Sequence, residues 1–233
     1  MKQAVLVPER TLSLKILAHK LRRHVPFLYR HLFLELRHFF FPTYCGTSSL
    51  NVVYSDGSWL NRKSTHDSLA IEEFLANNLN LLKDRSILHV GIGNGELTQF
   101  ILSAKPSVLH GLTIIEEEHA NAHSFTINYL PGDYKYFLKN KYSLSALDCR
   151  STYNVIIDND LAGYACCKSH FRDLIAFYYA SLSPDGLLIT GARGLLYFDN
   201  GFGVNSRLRK LYLDPYFEYV LTSDLGCVLL KRS

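Results

Sequence analysis

Three glycines at alternate positions, Gly91, Gly93 and Gly95, follow a short apolar run with Ile87, Leu88 and Val90, and a helix-like segment over 96–104 begins at once. A strand, a glycine turn and a helix in that order suit a nucleotide-type ligand. Glycine lets the backbone approach a ligand and adopts dihedrals that other residues avoid, and the new helix points its free N–H groups at it. A second group able to orient a ligand or move a proton follows the apolar run 155–157: Asp158, Asn159, Asp160 and Tyr164, with His170 behind them. Asp158 is placed to orient a ligand or substrate, while His170 and His66 are candidate general bases. Asp158 and Asp160 also have the oxygen chemistry of a divalent-cation pair, but no metal site is assigned.

These residues need a scaffold, and the pattern supplies one. Strands are predicted at 86–91, 108–115, about 125–130, 153–158, 186–191, 216–222 and 226–231, with helices at 95–104, about 116–123, 168–182 and about 203–212. Asp185-Gly186 makes the turn into the fifth strand. Such alternation means a parallel sheet with helices on both faces. The last two strands have only a turn around 224–226 between them, which predicts a terminal hairpin. The expected fold is therefore α/β: a doubly wound, mostly parallel seven-stranded sheet with a C-terminal antiparallel hairpin. Both chemical groups fall after predicted strands, at the carboxyl edge where open α/β sheets bind ligands.

Ahead of the first strand, a helix from Ser64 or Thr65 carries Leu69, Ile71, Phe74, Leu75 and Leu79, with Thr65 or Asp67 as its cap. Further upstream, 9–24 places Leu14, Leu17 and Leu21 at helical spacing, and 27–40 does the same with Tyr29, Leu32, Phe33, Leu36 and Phe40; Pro26 and Pro42 punctuate the two. Residues 1–44 hold eight Lys/Arg against Glu9 and Glu35, net +6 of a whole-chain +4. The remainder is thus slightly acidic, which argues against a diffuse nucleic-acid surface there. Three readings of the basic helices stand: a cap over the substrate site, contact with an anionic membrane surface or nucleic acid, or a surface for a second copy of the chain. The segment 43–65 is turn-rich and reads as a linker or lid, with Trp59 as a candidate pocket or core residue. The expected division is a helical cap and lid over 1–63 and a catalytic domain over 64–233.

Of 233 residues, 48% are hydrophobic, which is enough for a folded α/β domain. No apolar run reaches the roughly 18 residues of a membrane span, and the N-terminus lacks the basic–apolar–small order of a signal peptide. The five cysteines, Cys45, Cys149, Cys166, Cys167 and Cys227, form no Cys-x-x-Cys pair and read as reduced thiols of a cytoplasmic protein.

From residue 64 onward the chain resembles the class I S-adenosylmethionine-dependent methyltransferases. The family's first motif is an acidic residue, then Gly-x-Gly-x-Gly; here it is His89-Val90-Gly91-Ile92-Gly93-Asn94-Gly95, with histidine at the acidic position. Tyr153 to Asp158 is similar to the fourth strand, and Leu182-Ser183-Pro184-Asp185-Gly186 to the turn into the fifth. A nicotinamide-binding domain prefers a third glycine one residue later, where Glu96 stands. Gly111-Leu112-Thr113-Ile114 with Glu118 resembles the second strand of the cyclopropane-fatty-acid and sterol methyltransferase branch, with Glu in place of Gln; Glu116 and Glu117 are rival ribose ligands.

The resemblance implies S-adenosyl-L-methionine as cofactor, bound by His89, Gly91, Ile92, Gly93, Gly95, Thr113, Ile114, Glu118, Asp133 and Asp158. It implies methyl transfer to an oxygen or nitrogen of a small molecule, with no nucleic-acid partner. It also leaves open a degenerate, non-catalytic scaffold, and a methyltransferase that reaches lipid or RNA through the basic helices. A histidine in the acidic position offers the cofactor's amino group one hydrogen bond when neutral and repels it when charged.

Overall fold

The computed structural model describes Leu60 and residues 62–126, 129, 132–146, 152–163, 167–191, 209–222 and 226–231. The readings for helices 9–24 and 27–40, Trp59, Tyr164, Cys166 and most of the lid lie outside these residues.

Five parallel strands form the body of the sheet: β1 (Ser86–Val90), β2 (Val108–Thr113), β3 (Asp133–Leu138), β4 (Tyr153–Asp158) and β5 (Leu182–Gly191), in the order β3-β2-β1-β4-β5. The order runs on through β7 (Gly226–Lys231) to β6 (Phe217–Thr222), both pairings antiparallel. β1 lies at the centre, with Val90 opposite Leu112 on one side and Asp158 on the other. A central strand is covered on both faces; Ile87, Leu88, His89 and Val90 are all buried.

The helices α1 (His66–Ala76), α2 (Glu96–Ser103), α3 (Glu116–Thr126) and α4 (Lys168–Ser181) pack on this sheet. Thr65 is the cap of α1, its hydroxyl accepting from Ser68 N–H at 3.2 Å. Ile71 and Leu75 of α1 join Leu97, Ile101 and Leu102 of α2 in one core with Ile87, Leu109, Val155 and Ile157 of the sheet. Among the described residues, no helix is long and apolar enough to cross a membrane.

Three boundaries differ from the sequence expectation. The third strand is Asp133–Leu138 rather than about 125–130, because α3 continues through Thr126. It is an edge strand in which only Tyr136 is buried and Asp133 and Lys135 are exposed, so its sequence DYKYFL lacks the apolar continuity of its neighbours. β5 begins at Leu182 rather than 186: Leu182 pairs with Tyr153 before a register shift, and Asp185-Gly186 lies within the strand. Near the C-terminus, the described part of the helix expected at about 203–212 is one π-type turn, Arg209–Leu213.

Candidate functional site

At the end of β1 the chain turns through Gly91, Gly93 and Gly95 with φ of 79°, 60° and 85°. These left-handed dihedrals cost glycine little and a side-chain-bearing residue about 1–2 kcal/mol. The amides of Gly91 and Ile92 both donate to the Leu112 carbonyl, at 2.8 and 3.3 Å, which pins the turn to the end of β2. The glycines then divide by surroundings. A Cβ on Gly91 or Gly93 would meet nothing nearer than 3.6 or 3.9 Å, whereas one on Gly95 would lie 2.2 Å from the Phe125 ring. Gly95 therefore lets α3 pack against the start of α2, while Gly91 and Gly93 leave open space beside the turn.

That room is part of a cavity of about 360 Å³, bounded by the glycine turn, the ends of β2, β3 and β4, and residues 62–68. Thr113 ends β2; its hydroxyl donates to Glu118 at 2.5 Å and accepts the Ile115 amide at 3.1 Å. Of the three consecutive glutamates only Glu118 is buried and reaches the cavity wall, beside Ile114. Burial pushes its carboxyl pKa up, opposed by hydrogen bonds from Thr113 and the Gly93 backbone. A carboxylate has about four acceptor sites, so these two donors leave capacity for a ligand's hydroxyls.

His89 occupies the penultimate position of β1 and is 1% exposed. Its Nδ1 lies 3.0 Å from the Thr98 hydroxyl of α2, and its buried Nε2 has no partner. Desolvation lowers its pKa to about 4, so the ring is neutral near pH 7. A buried ring nitrogen without a hydrogen bond is costly, and His89 lies on the cavity wall, where a ligand's polar group can satisfy it. Ile92, 3% exposed, supplies apolar wall beside it.

Asp158 ends β4 and also lines the cavity, but its carboxylate is already engaged. Lys141 Nζ donates to both of its oxygens, at 3.2 and 3.1 Å, and the Tyr178 hydroxyl donates to Oδ2 at 2.8 Å. Lys141 also donates to the carbonyls of Asp160 and Leu161, and Tyr142 donates to that of Gly163 at 2.9 Å. The group thereby holds the turn after β4. Neither Lys141 nor Asn140, which sits just past β3 on the cavity wall, carries a sequence motif; their signal is position after the third strand, which lies later in the chain than the apolar pattern predicts.

The α1 side supplies His66, exposed and on the wall, and Asp67, buried with its carboxylate against Gly191. Asn159 Nδ2 donates to Ser68 Oγ at 2.8 Å, and Asn94 Nδ2 to the Arg62 carbonyl at 3.1 Å, which ties residues 62–68 to the turns after β4 and β1.

Two expected site residues are not brought here. His170 is buried in the first turn of α4, its Nδ1 3.4 Å from the Sγ of Cys167, which caps that helix; it is not on the cavity wall. Asp133 begins β3 instead of following it, opposite Val108 at the amino edge of the sheet. There it pairs with Lys135 at 2.8 Å and lies 3.6 Å from His110. Among the described residues no cluster of metal-ligating side chains is present.

No family model matches the chain, and no curated protein sequence matches it. Solved structures do. The N-methyltransferase NodS from Bradyrhizobium japonicum WM9, in complex with S-adenosyl-L-homocysteine, matches at a TM-score of 0.60 and 13% identity, over 78% of this chain and 95% of that one. Magnesium protoporphyrin IX methyltransferase (ChlM) from Synechocystis PCC 6803, with bound S-adenosylmethionine, matches at 0.54 and 15%, over 86% and 97%. A ribosomal protein L11 methylase from Lactobacillus delbrueckii subsp. bulgaricus matches at 0.53 and 16%, over 73% and 81%. The fold of this chain is that of the class I S-adenosylmethionine-dependent methyltransferases.

Proposed function

We propose that this protein binds S-adenosyl-L-methionine in the cavity beside the glycine turn and transfers its methyl group to an oxygen or nitrogen of a small molecule. One observation carries the cofactor: at the carboxyl edge of this fold, buried Glu118 and the unpartnered Nε2 of buried His89 line the cavity beside the open glycine turn. Glu118, held by Thr113, takes the ribose hydroxyls. Ile92 and Ile114 contact the base and ribose, and the backbone of Gly91 and Gly93 follows the ligand closely. His89 takes the amino-acid end as a neutral hydrogen-bonding group in place of a carboxylate. Asn140 replaces Asp133 as the polar residue after β3.

The cofactor supplies a methyl already activated on a sulfonium sulfur. The protein's part is to align the acceptor and take its proton. His66, exposed on the wall, is the proposed proton acceptor. Asp158 acts at one remove, fixing the turn after β4 through Lys141. His170 has no part in this assignment. Residues 1–63 are proposed as a cap over the acceptor, in a cytoplasmic enzyme.

Titration calorimetry with S-adenosylmethionine tests the proposal: saturable heat is expected, and Gly93→Arg abolishes it by filling the turn. Clean, folded protein that gives no heat overturns it. A second reading, a methyltransferase fold retained as a binding scaffold, draws on His89 standing where the family has a carboxylate; it predicts that same absence of heat. A third, action on lipid or RNA, draws on the net +6 of residues 1–44, and fails if deleting them leaves vesicle and RNA binding unchanged.

A further inference from the structure

We propose that Thr98 holds His89 in the tautomer whose proton sits on Nε2, so that the cavity wall at His89 takes the carboxylate of the cofactor's amino-acid end and not its ammonium. This rests on the cofactor reading above and gives that end of the ligand a polarity.

Thr98 lies in the first turn of α2, fully buried and off the cavity wall. A threonine hydroxyl in a helix commonly donates to a carbonyl three or four residues earlier. Among the described residues the Thr98 hydroxyl instead has the Nδ1 of His89 as its partner, at 3.0 Å. Two arrangements suit that contact. In one, the hydroxyl donates to the Nδ1 lone pair and the ring proton is on Nε2. In the other, Nδ1–H donates to the hydroxyl, whose own proton is then buried without an acceptor. Nε2 has no protein partner in either case, so the hydroxyl proton decides between them. An unmade buried donor disfavours the second arrangement by roughly tenfold to a hundredfold. Burial keeps the ring neutral, with a pKa lowered to about 4, so Nε2 bears the ring's single proton.

The wall at His89 is therefore a hydrogen-bond donor. An ionised aspartate or glutamate at this position would only accept, and would select the ammonium. Nε2–H selects the carboxylate, because an ammonium has three donors and no acceptor. Net charge does not make this choice. The described wall holds four acids, Asp67, Glu118, Asp158 and Asp160, and as many Lys and Arg side chains. None of the four acids is within hydrogen-bond reach of Nε2, so its proton is left for the ligand.

The test uses the full chain and calorimetry with S-adenosylhomocysteine and two analogues. One lacks the carboxylate, ending in a 3-aminopropyl thioether; the other lacks the amino group, ending in a 4-thiobutyrate. The analogue without the carboxylate is expected to bind at least about tenfold more weakly than the one without the amino group. Thr98→Ser should keep that difference, and Thr98→Val, which holds the shape but not the donor, should reduce it to less than about threefold. In protein labelled with 15N-histidine, the His89 ring, assigned by its loss in His89→Gln, should show a protonated Nε2 and a bare Nδ1 in wild type and Thr98→Ser. The inference is overturned if the two analogues bind alike or in the reverse order, if Thr98→Val keeps the full difference, or if the ring proton is on Nδ1. If S-adenosylhomocysteine itself does not bind, the cofactor reading falls and the carboxylate assignment with it, while the ring spectrum of the free protein separately decides the tautomer.

Discussion

Lys141 Nζ lies 3.2 and 3.1 Å from the two carboxylate oxygens of Asp158, with the lysine 9% and the aspartate 1% exposed at their side chains. This pair joins the segment after β3 to the end of β4. Asp158, read from sequence as a ligand-orienting group, lines the cavity and through this pair also holds the turn that bounds it.

Breaking the pair from one side leaves a buried charge without its partner. Lys141→Met is expected to cost roughly 3–5 kcal/mol in urea unfolding. Tyr178→Phe removes only one hydrogen bond to the same carboxylate and should cost roughly 1.5–3 kcal/mol. Adding Asp158→Asn to Lys141→Met should recover much of the first loss, since the orphaned charge is gone. Additive single-mutant losses in this cycle would show that the two side chains do not act as a unit.

The neutral state of His89 has a defined pH signature. Its folded pKa of about 4 lies below the ordinary histidine value of 6.5. Between those values the unfolded chain takes a proton that the folded chain refuses. Its contribution to stability is present above pH 6.5 and is lost as pH falls toward 4, by roughly 2.5 kcal/mol at pH 4.5. His89→Gln cannot titrate. Its unfolding free energy should fall less than that of wild type between pH 7.5 and 4.5, by about that amount; parallel curves would mean that His89 accepts a proton in the fold.

Glu118 works in the opposite sense. Burial raises its pKa, so its stabilising contribution is complete below the unfolded value and declines as pH rises through the folded one. At pH 7.5 the folded protein bears the cost of burying this acid, which Glu118→Gln does not. The variant should melt higher at pH 7.5, by roughly 2–4 °C per kcal/mol relieved, with the difference closing at pH 4. It should also bind S-adenosylmethionine about tenfold more weakly, having lost a charged acceptor. Lower melting together with unchanged affinity would remove Glu118 from the site.

What was legible in the sequence follows from how local each signal is. The β1 turn is contiguous, so Gly91, Gly93 and Gly95 mark both the strand end and the cavity beside it. Thr113 and Glu118 are five residues apart, within one strand-to-helix junction, and their 2.5 Å hydrogen bond lies in that span. β3 was harder: as an edge strand it carries Asp133 and Lys135 exposed beside buried Tyr136, and the more apolar FTINYL ahead of it competed for the assignment. That displacement carried Asp133 to the wrong edge of the sheet and hid Asn140. Lys141 had no local signal at all, because its partner is 17 residues away and meets it only once β4 is paired into the sheet. His170 stands at a helix start, as the pattern predicts, and the Cys167-x-x-His170 spacing brings its ring to the sulfur rather than to the cavity wall.

The glycine turn offers a last test, because its members should fail differently. Gly95→Ala places a methyl 2.2 Å from the Phe125 ring at φ +85°. It should cost roughly 1–3 kcal/mol from overpacking, plus about 1–2 kcal/mol for the left-handed backbone. Phe125→Leu in the same chain should return part of the first term and none of the second. Gly93→Ala meets nothing within 3.4 Å of the new methyl at φ +60°, so it bears only the backbone cost. Its methyl enters the space assigned to the ligand, so S-adenosylmethionine affinity should drop at least about tenfold in a protein that still folds. Calorimetry and urea unfolding on the two variants separate the roles. If Gly93→Ala binds as wild type does, or if it loses as much stability as Gly95→Ala, then the turn does not divide into a ligand-facing and a packing half.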